Sequence, residues 1–276
     1  LAAHAALERM LADEHGAHLL EREPRELRVI LPDGTKRDVG RVHKGFDDLL
    51  TVVGCKLHAF LVGPAGSFKT TTAHKVADAL ALDFSSLSVC AQTTQVALLG
   101  YMNAVGEYVT TEFRKRYQHG GIFLLDEADN GNANTLAVLN SALANGHCAF
   151  PDGMIARHPE FRLIATANTY GNGGSAQYVG RCQLDAATLD RFTFLQWDYD
   201  QELEREICGN DDWTDRVFAL RDAAASLGSR LIISPRATFE GAALLAAGMD
   251  RAKVETLKIW KGIAPEERAK IEARAI

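Results

Sequence analysis

The chain has 276 residues, a formal net charge of −6, and 47% hydrophobic and 24% charged residues. This composition is typical of a globular protein and excludes an intrinsically disordered or collagen-like chain. No apolar run approaches the roughly 20 residues that cross a bilayer, and the first residues carry charges where a signal peptide would be apolar. We therefore expect a soluble, cytoplasmic protein with no membrane partner. The acidic balance disfavours nucleic acid as a ligand, although a local basic patch stays open.

The first 42 residues predict a small appendage to the main fold. Apolar residues at helical spacing predict a helix over residues 2–20. The run LRVIL, the turn signal PDG and the run TKRDV then predict a hairpin over residues 26–39. Nothing in this segment suggests chemistry.

From residue 43 the pattern changes to apolar strands that alternate with amphipathic helices. The predicted strands are residues 59–62, 86–90, 122–125, 161–167 and 192–197. Such alternation indicates a parallel sheet with helices on both faces. In that arrangement Gly63, Asp126 and Asn168 follow strand ends on one edge of the sheet, where open α/β folds bind ligands.

Beyond residue 198 the strand pattern ends and helical patterns follow. The predicted helices are residues 201–207, 212–227, 235–249 and a last one from residue 265. We interpret residues 199–276 as a small helical domain. The chain thus divides into an appendage (1–42), an α/β core (43–198) and this helical domain.

A glycine-rich turn between the first core strand and a helix is the strongest single feature. Its residues and those that open the helix are Gly63, Pro64, Ala65, Gly66, Ser67, Phe68, Lys69, Thr70 and Thr71. Backbone N–H groups and the helix dipole converge in such a turn and suit a polyphosphate. This interpretation makes the segment a Walker A element. In such an element Lys69 would reach the β- and γ-phosphates and Thr70 would bind Mg²⁺. An ordinary strand-turn-helix is the alternative for this segment taken alone.

Phe68 departs from the strict pattern GxxxxGK[ST], which has glycine before the lysine. A bulky side chain would be strained at a positive φ. Because Phe68 opens a helix, we expect a right-handed φ, at which its Cβ is tolerated.

A second motif is an apolar strand that delivers two adjacent carboxylates at its C-terminal end. The segment GGIFLLDE places Asp126 and Glu127 there, as in a Walker B element. Asp126 would hold Mg²⁺ through its water shell, and Glu127 would polarise the attacking water as general base. A strand that ends in a polar turn is the alternative, which the order and spacing of the two motifs disfavour.

Five short motifs in a fixed order, GPAGSFKT, LLDEAD, FRLIATAN, LDAATLDRF and SPRAT, resemble the AAA+ ATPases. The similarity is to the branch that contains the MoxR proteins, the CobS subunit of cobaltochelatase and the dynein-related AAA domains, and it spans residues 43–249. The resemblance implies an α/β fold with a P-loop NTPase AAA+ core, in which a five-stranded parallel sheet lies between helices. A small C-terminal α-helical lid would follow this core.

The resemblance also implies roles for single residues. Asn168 resembles sensor 1, which orients the lytic water with Glu127, and Arg191 looks like the arginine finger that reaches a neighbouring subunit's γ-phosphate. Arg236 resembles sensor 2, which couples the lid to the phosphates, and Arg181 is a second candidate for an interface arginine. Without the resemblance, Arg191 would be interpreted as half of a surface ion pair and Arg236 as a solvated side chain.

Two insertions are similar to those of one AAA+ superclade. Residues 147–160 predict a hairpin that turns at PDG, like a pre-sensor-1 hairpin, and residues 98–109 interrupt a predicted helix, like a helix-2 insert. Such inserts line the central channel of ring assemblies, so Tyr101 and Met102 are candidate substrate contacts. Core packing is the alternative for both side chains.

The function implied by the resemblance is that of an ATPase that uses ATP and Mg²⁺. It implies a homo-oligomeric ring, expected to be a hexamer, that remodels or activates a protein partner in a chaperone-like way. Family analogues often work with a partner that bears a von Willebrand factor A domain, and the similarity to CobS makes metal insertion into a tetrapyrrole conceivable. Two other classes stay open, a nucleotide-dependent DNA machine similar to McrB and a nucleotide-binding switch without hydrolysis. The acidic balance disfavours the first, and Glu127, Asn168 and Arg191 disfavour the second.

Overall fold

Buried apolar strands alternate with helices along much of this computed structural model, which describes residues 18–23, 26–30, 34 and 36–275. The strands are β1 (His18–Glu23), β2 (Glu26–Ile30), β3 (Lys36–Arg41), β4 (Ala59–Val62), β5 (Phe84–Ser88), β6 (Tyr101–Met102), β7 (Tyr108–Val109), β8 (Gly121–Asp126), β9 (His147–Phe150), β10 (Gly153–Ala156), β11 (Phe161–Ala167) and β12 (Thr193–Gln196). The helices are α1 (Phe46–Gly54), α2 (Lys69–Ala79), α3 (Gln95–Leu99), α4 (Glu112–His119), α5 (Ala133–Ala144), α6 (Ala186–Leu189), α7 (Gln201–Cys208), α8 (Asp211–Ser226), α9 (Pro235–Ala246), α10 (Arg251–Lys258) and α11 (Pro265–Arg274). Within the described ranges, none of these helices has the length and apolarity needed to span a membrane.

The chain divides into two units, each with apolar clusters of its own. The first runs up to Gly63 and resumes from Phe68 to Trp197. The second contains Pro64–Ser67 and the chain from Asp198 onward. The domain boundaries predicted after residues 42 and 198 stay predictions.

A five-stranded parallel sheet, in the order β12-β4-β11-β8-β5, forms the centre of the first unit. Strands β4 and β11 are buried along their whole length, as expected of inner strands covered on both faces. Successive residues of β8 alternate between two apolar clusters, with Phe123 on one face of the sheet and Leu124 on the other. The predicted parallel core is therefore confirmed.

Parallel register brings the carboxyl ends of the inner strands to one edge. Val62 pairs with Ala167, and Leu125 pairs with Ala165. Gly63 follows β4 so closely beside β12 that an added Cβ would lie 1.7 Å from the Trp197 carbonyl oxygen. Packing alone thus requires glycine at the start of the predicted phosphate turn.

The appendage contains a three-stranded antiparallel sheet, β1-β2-β3. Pairing of Ile30 with Lys36 confirms the predicted hairpin. The helix predicted over residues 2–20 is wrong at its end, because His18–Glu23 is a strand that pairs with β2; the rest of that helix lies outside the described residues. Pairing with another strand can decide the secondary structure of a segment, and the helical spacing of its apolar residues does not reveal that pairing.

The second unit is helical, as predicted for the C-terminal region, with one difference in its helices. The helix expected over residues 235–249 is α9, which ends at Ala246, and the separate helix α10 was not predicted. Gly248 adopts φ +85°, which ends the first helix, and the Asp250 side chain accepts from the Lys253 N–H at 3.1 Å, which caps the second.

Phe68 adopts a left-handed backbone, with φ 62° and ψ 19°, immediately before α2. The expected right-handed φ is therefore wrong. The Phe68 carbonyl accepts from both the N–H and the Oγ1 of Thr72 at 2.8 Å, so the residue closes the first turn of the helix. This turn imposes a conformation that costs a non-glycine residue roughly 1–2 kcal/mol.

We expect the Phe68→Gly protein to be more stable than the Phe68→Ala protein by roughly 0.5–1 kcal/mol. Both substitutions remove the ring, so the difference between their free energies of unfolding has two parts. A Cβ at positive φ destabilises the alanine variant by about 1–2 kcal/mol. The greater backbone entropy of unfolded glycine destabilises the glycine variant by about 0.5–1 kcal/mol. Chemical denaturation measures both free energies of unfolding.

The matched control is Ala243→Gly at an exposed position of α9, which should destabilise by about 1 kcal/mol because that residue is helical. An alanine variant at position 68 as stable as the glycine variant would contradict backbone strain at Phe68.

Candidate functional site

Side chains from three separate segments meet at the carboxyl edge of the sheet. The Lys69 ammonium donates to the Gly63 carbonyl at 2.7 Å and to Asn168 Oδ1 at 3.3 Å. The Thr70 hydroxyl, exposed in the first turn of α2, donates to Asp126 Oδ2 at 3.0 Å. The structure thus brings together residues predicted from β4-α2, β8 and β11.

Burial sets the electrostatics of Lys69. Desolvation lowers the pKa of its ammonium from 10.5 to about 8, and Arg181 adds to this shift. The neighbouring carboxylates of Asp126, Asp129 and Glu127 act in the opposite direction but do not restore the usual value. A further anion at this ammonium would stabilise its charged form.

The turn Pro64–Ser67 belongs to the second unit and is held there by side chains. Ser67 Oγ donates to the Pro64 carbonyl at 2.8 Å, and Tyr199 Oη donates to the Ala65 carbonyl at 3.2 Å. Gly66 adopts φ +81°, and an added Cβ would lie 3.2 Å from Ser234 Cβ. The positive φ therefore favours glycine, and the contact with Ser234 leaves little room for a Cβ.

Oxygen atoms suited to a magnesium ion converge beside Lys69. The Thr70 hydroxyl and the Asp126 carboxylate are in direct contact, and Asp126 Oδ1 accepts a hydrogen bond from Thr166 Oγ1. Mg²⁺ prefers oxygen ligands and is commonly held by one or two protein side chains together with phosphates and water. Thr70 and Asp126 fit that ion.

Glu127 follows β8 in a left-handed conformation with φ 56° and ψ 42°. Its N–H donates to Thr166 Oγ1 at 3.1 Å. Its Oε2 accepts from Asn130 Nδ2 and lies 3.5 Å from Arg181 Nη1. Such strained residues persist only where the surroundings hold them, and they cluster at functional sites.

Thr166 is a site residue that the sequence reasoning missed. It is buried on β11 and bonds both to the Asp126 carboxylate and to the Glu127 N–H, so it orients the two adjacent acids. A hydroxyl inside this largely apolar, buried strand was the available signal.

Asp129 is the second residue that was missed, and it is completely buried. Its Oδ2 accepts from the N–H groups of Asn168 at 3.1 Å and Thr169 at 3.0 Å, and from the Thr169 hydroxyl at 2.9 Å. Its Oδ1 lies 3.3 Å from Arg181 Nη1. The acid three residues after Asp126 was visible in the sequence, but its partners were not.

The three predicted arginines lie in different surroundings. Arg181 pairs with Asp129 and Glu127 of its own chain. Arg191 Nη1 donates to the Ala187 carbonyl on α6, and its Nε is buried without a hydrogen-bond partner among the described residues. Arg236 is exposed in the first turn of α9 in the second unit.

The two predicted insertions are hairpins. β6 pairs with β7, and β9 pairs with β10 around the turn at residues 151–152. Tyr101 and Met102 are 49% and 43% exposed, so the alternative of core packing is wrong for both.

Comparison with known proteins places this site in a family. Residues 58–192 match the model of the AAA domain of the dynein-related subfamily. The aerobic cobaltochelatase subunit CobS of a Sinorhizobium species is 30% identical over 144 residues, which cover 48% of this chain and 43% of that protein. The chain therefore matches less than half the length of this relative.

Solved structures similar to this chain include the Thermotoga maritima RuvB Holliday junction branch migration motor and NtrX from Brucella abortus. The first is 16% identical with a TM-score of 0.49 and covers 78% of this chain and 69% of that one. The second is 17% identical with a TM-score of 0.48 and covers 79% of this chain and 49% of that one.

The family match contains the residues that meet at the sheet edge, from Lys69 and Thr70 to Asp126, Glu127 and Asn168. Residues 58–192 therefore match an AAA domain of the dynein-related subfamily, and together with the similarity to CobS this match supports an AAA+ protein of the MoxR and CobS branch.

Proposed function

We propose that this chain hydrolyses ATP with Mg²⁺ as one subunit of a homo-oligomeric ring, expected to be a hexamer, and that the ring remodels or activates a protein partner. One observation carries the proposal. Lys69, Thr70, Asp126, Glu127 and Asn168 lie at one sheet edge with the geometry of a phosphate site and an adjacent base.

Each of these residues has a distinct task in binding. The Lys69 ammonium would neutralise charge on the β- and γ-phosphates, and a bound polyphosphate would raise the lowered pKa of about 8 because it favours the charged form. Thr70 and Asp126 would hold Mg²⁺, which when bound neutralises charge on the phosphate oxygens. Thr166 keeps the Asp126 carboxylate oriented toward that position.

Hydrolysis requires a base and a positioned water. Glu127 would accept a proton from water as the water oxygen bonds to the γ-phosphorus and the bond to the bridging oxygen breaks. Asn168 would orient that water through its side-chain amide, which already lies beside Lys69. The contacts of Glu127 with Asn130 and Arg181 keep the carboxylate at the site but must loosen for it to reach water.

The proposed ring is supported by the surface beside Arg191. A cavity of about 490 Å³ is lined by residues on either side of this arginine, including Leu189, Phe192 and Phe194. Tyr170 also lines this cavity and is 48% exposed. Its ring stacks on that of Phe194, with 6.2 Å between the ring centres. Exposed aromatic surface is typical of a protein contact, and in a ring it would place Arg191 near a neighbouring nucleotide.

A protein client is favoured by exposed apolar residues on the two hairpins. Tyr101 and Met102 lie on β6, and Met154 on β10 is 66% exposed. A partner with a von Willebrand factor A domain and a role in metal insertion rest on the family resemblance alone. The role of Arg236 as sensor 2 and an interface role for Arg181 also stay predictions.

We expect Lys69→Ala to abolish ATP binding and Glu127→Gln to retain it. Removal of the ammonium deletes the phosphate contact, whereas the amide keeps the size of the glutamate but cannot accept the proton, so hydrolysis should fall by about 100-fold or more. Titration with a fluorescent ATP analogue measures binding, and phosphate release measures hydrolysis.

The exposed Glu266 of α11 offers a matched control, since Glu266→Gln makes the same chemical change away from the site. An equal loss of ATP binding in the two variants would contradict the assignment of Glu127 as base and Lys69 as phosphate ligand.

We expect Arg191→Ala and Lys69→Ala proteins each to be inactive alone and to recover hydrolysis when they are mixed. A Lys69→Ala subunit still offers Arg191 to the intact nucleotide site of an Arg191→Ala neighbour, because an arginine finger in trans needs only one intact partner of each kind. Phosphate release across mixing ratios should reach a maximum at intermediate ratios. If mixtures stay as inactive as the single variants, Arg191 does not act between subunits.

A further inference from the structure

The two hairpins of the first unit pack against one buried guanidinium. Arg114 lies on α4, directly after the first hairpin, and is 5% exposed. The hairpin β6–β7 precedes this helix, and the hairpin β9–β10 follows it after β8 and α5. A buried cation is stable only where an opposite charge and hydrogen bonds replace water. The partners of Arg114 therefore indicate which elements it holds together.

The second hairpin supplies the countercharge. Arg114 Nη1 donates to Asp152 Oδ1 at 2.9 Å and Nη2 donates to Asp152 Oδ2 at 3.2 Å, a bidentate pair at the turn between β9 and β10. The guanidinium carbon also lies 4.4 Å from the centre of the Phe150 ring on β9. This paired, two-point geometry fixes orientation as well as distance.

The first hairpin supplies an aromatic face. The Tyr108 ring on β7 lies 5.3 Å from the Arg114 guanidinium carbon. The ring is fixed in turn, because Tyr108 Oη donates to the Leu99 carbonyl at 2.7 Å. Gln118 Oε1 accepts from Arg114 Nε at 2.9 Å and sets the plane of the guanidinium from its own helix.

We propose that Arg114 is a positioning residue that couples the two hairpins, so that a change at one is transmitted to the other. Tyr101 and Met102 of the first hairpin and Met154 of the second are exposed, and through Arg114 a client bound at one hairpin would affect the other. The binding of a client rests on the proposed function, whereas the coupling itself depends only on the contacts of Arg114.

The test changes one hairpin and measures the other. Asp152→Asn in the full chain keeps the size of the side chain and removes its charge. Hydrogen–deuterium exchange then follows backbone amides of the first hairpin, including Asn103, whose N–H donates to the Glu107 carbonyl at 2.8 Å. We expect these amides to exchange faster on the order of tenfold, while the amides of β8 and β11 keep their protection.

A matched control lies on the same helix. Arg116 pairs with Asp83, which belongs to neither hairpin, so Asp83→Asn removes a similar arginine partner without touching the coupling. It should leave exchange in the first hairpin unchanged. Asp152→Glu restores the carboxylate and should recover part of the lost protection.

Two results would overturn the proposal. One is unchanged protection of the first hairpin in Asp152→Asn, and the other is equal acceleration in Asp83→Asn. Exchange is measured without ATP, so failure of the proposed hydrolysis would leave this result intact. Conversely, normal hydrolysis with uncoupled hairpins would reject the role of Arg114 alone.

Discussion

A completely buried carboxylate, that of Asp129, is the constraint on which the arrangement of the site depends. A charge without water is stable only where hydrogen bonds and an opposite charge surround it. Asn168 and Thr169 donate to it, and Arg181 faces it. The ends of β8 and β11 and the segment that carries Arg181 must therefore stay together. Loss of any one of them would leave a buried charge unsatisfied, which explains how distant segments hold the candidate site together.

The same network balances charge across the whole site. The carboxylates of Asp126, Glu127 and Asp129 lie near the cations of Lys69 and Arg181. A nucleotide would add negative charge beside Lys69 and favour its protonated form, while it competes with Glu127 and Asp129 for Arg181. Under the proposed function, nucleotide binding and the release of Glu127, the proposed base, would be linked by electrostatics. The strained backbone of Glu127 would then hold that carboxylate beside the site.

Local patterns in the sequence predicted most of the fold because the inner parallel strands are mostly apolar runs with clear ends. The bounds of β4 and β11 follow directly from AFLV and FRLIATA. Prediction failed where non-local pairing or a single glycine decides the outcome. Residues 18–20 join a strand because β2 pairs with them, and the helix predicted up to residue 249 ends at Ala246, just before the positive φ of Gly248. Neither effect changes the spacing of apolar residues, so a periodicity argument passes over both.

The sequence by itself determined which functional groups the protein has and the order in which they follow its strands, because motif spacing and strand ends are local properties. It therefore predicted Gly63, Asp126 and Asn168 on one sheet edge. Only the tertiary structure decided the left-handed backbone of Phe68 and the pairing of Asp129 with Arg181. These features depend on sheet register, burial and turns that join segments tens of residues apart, and no local spacing in the chain records such contacts.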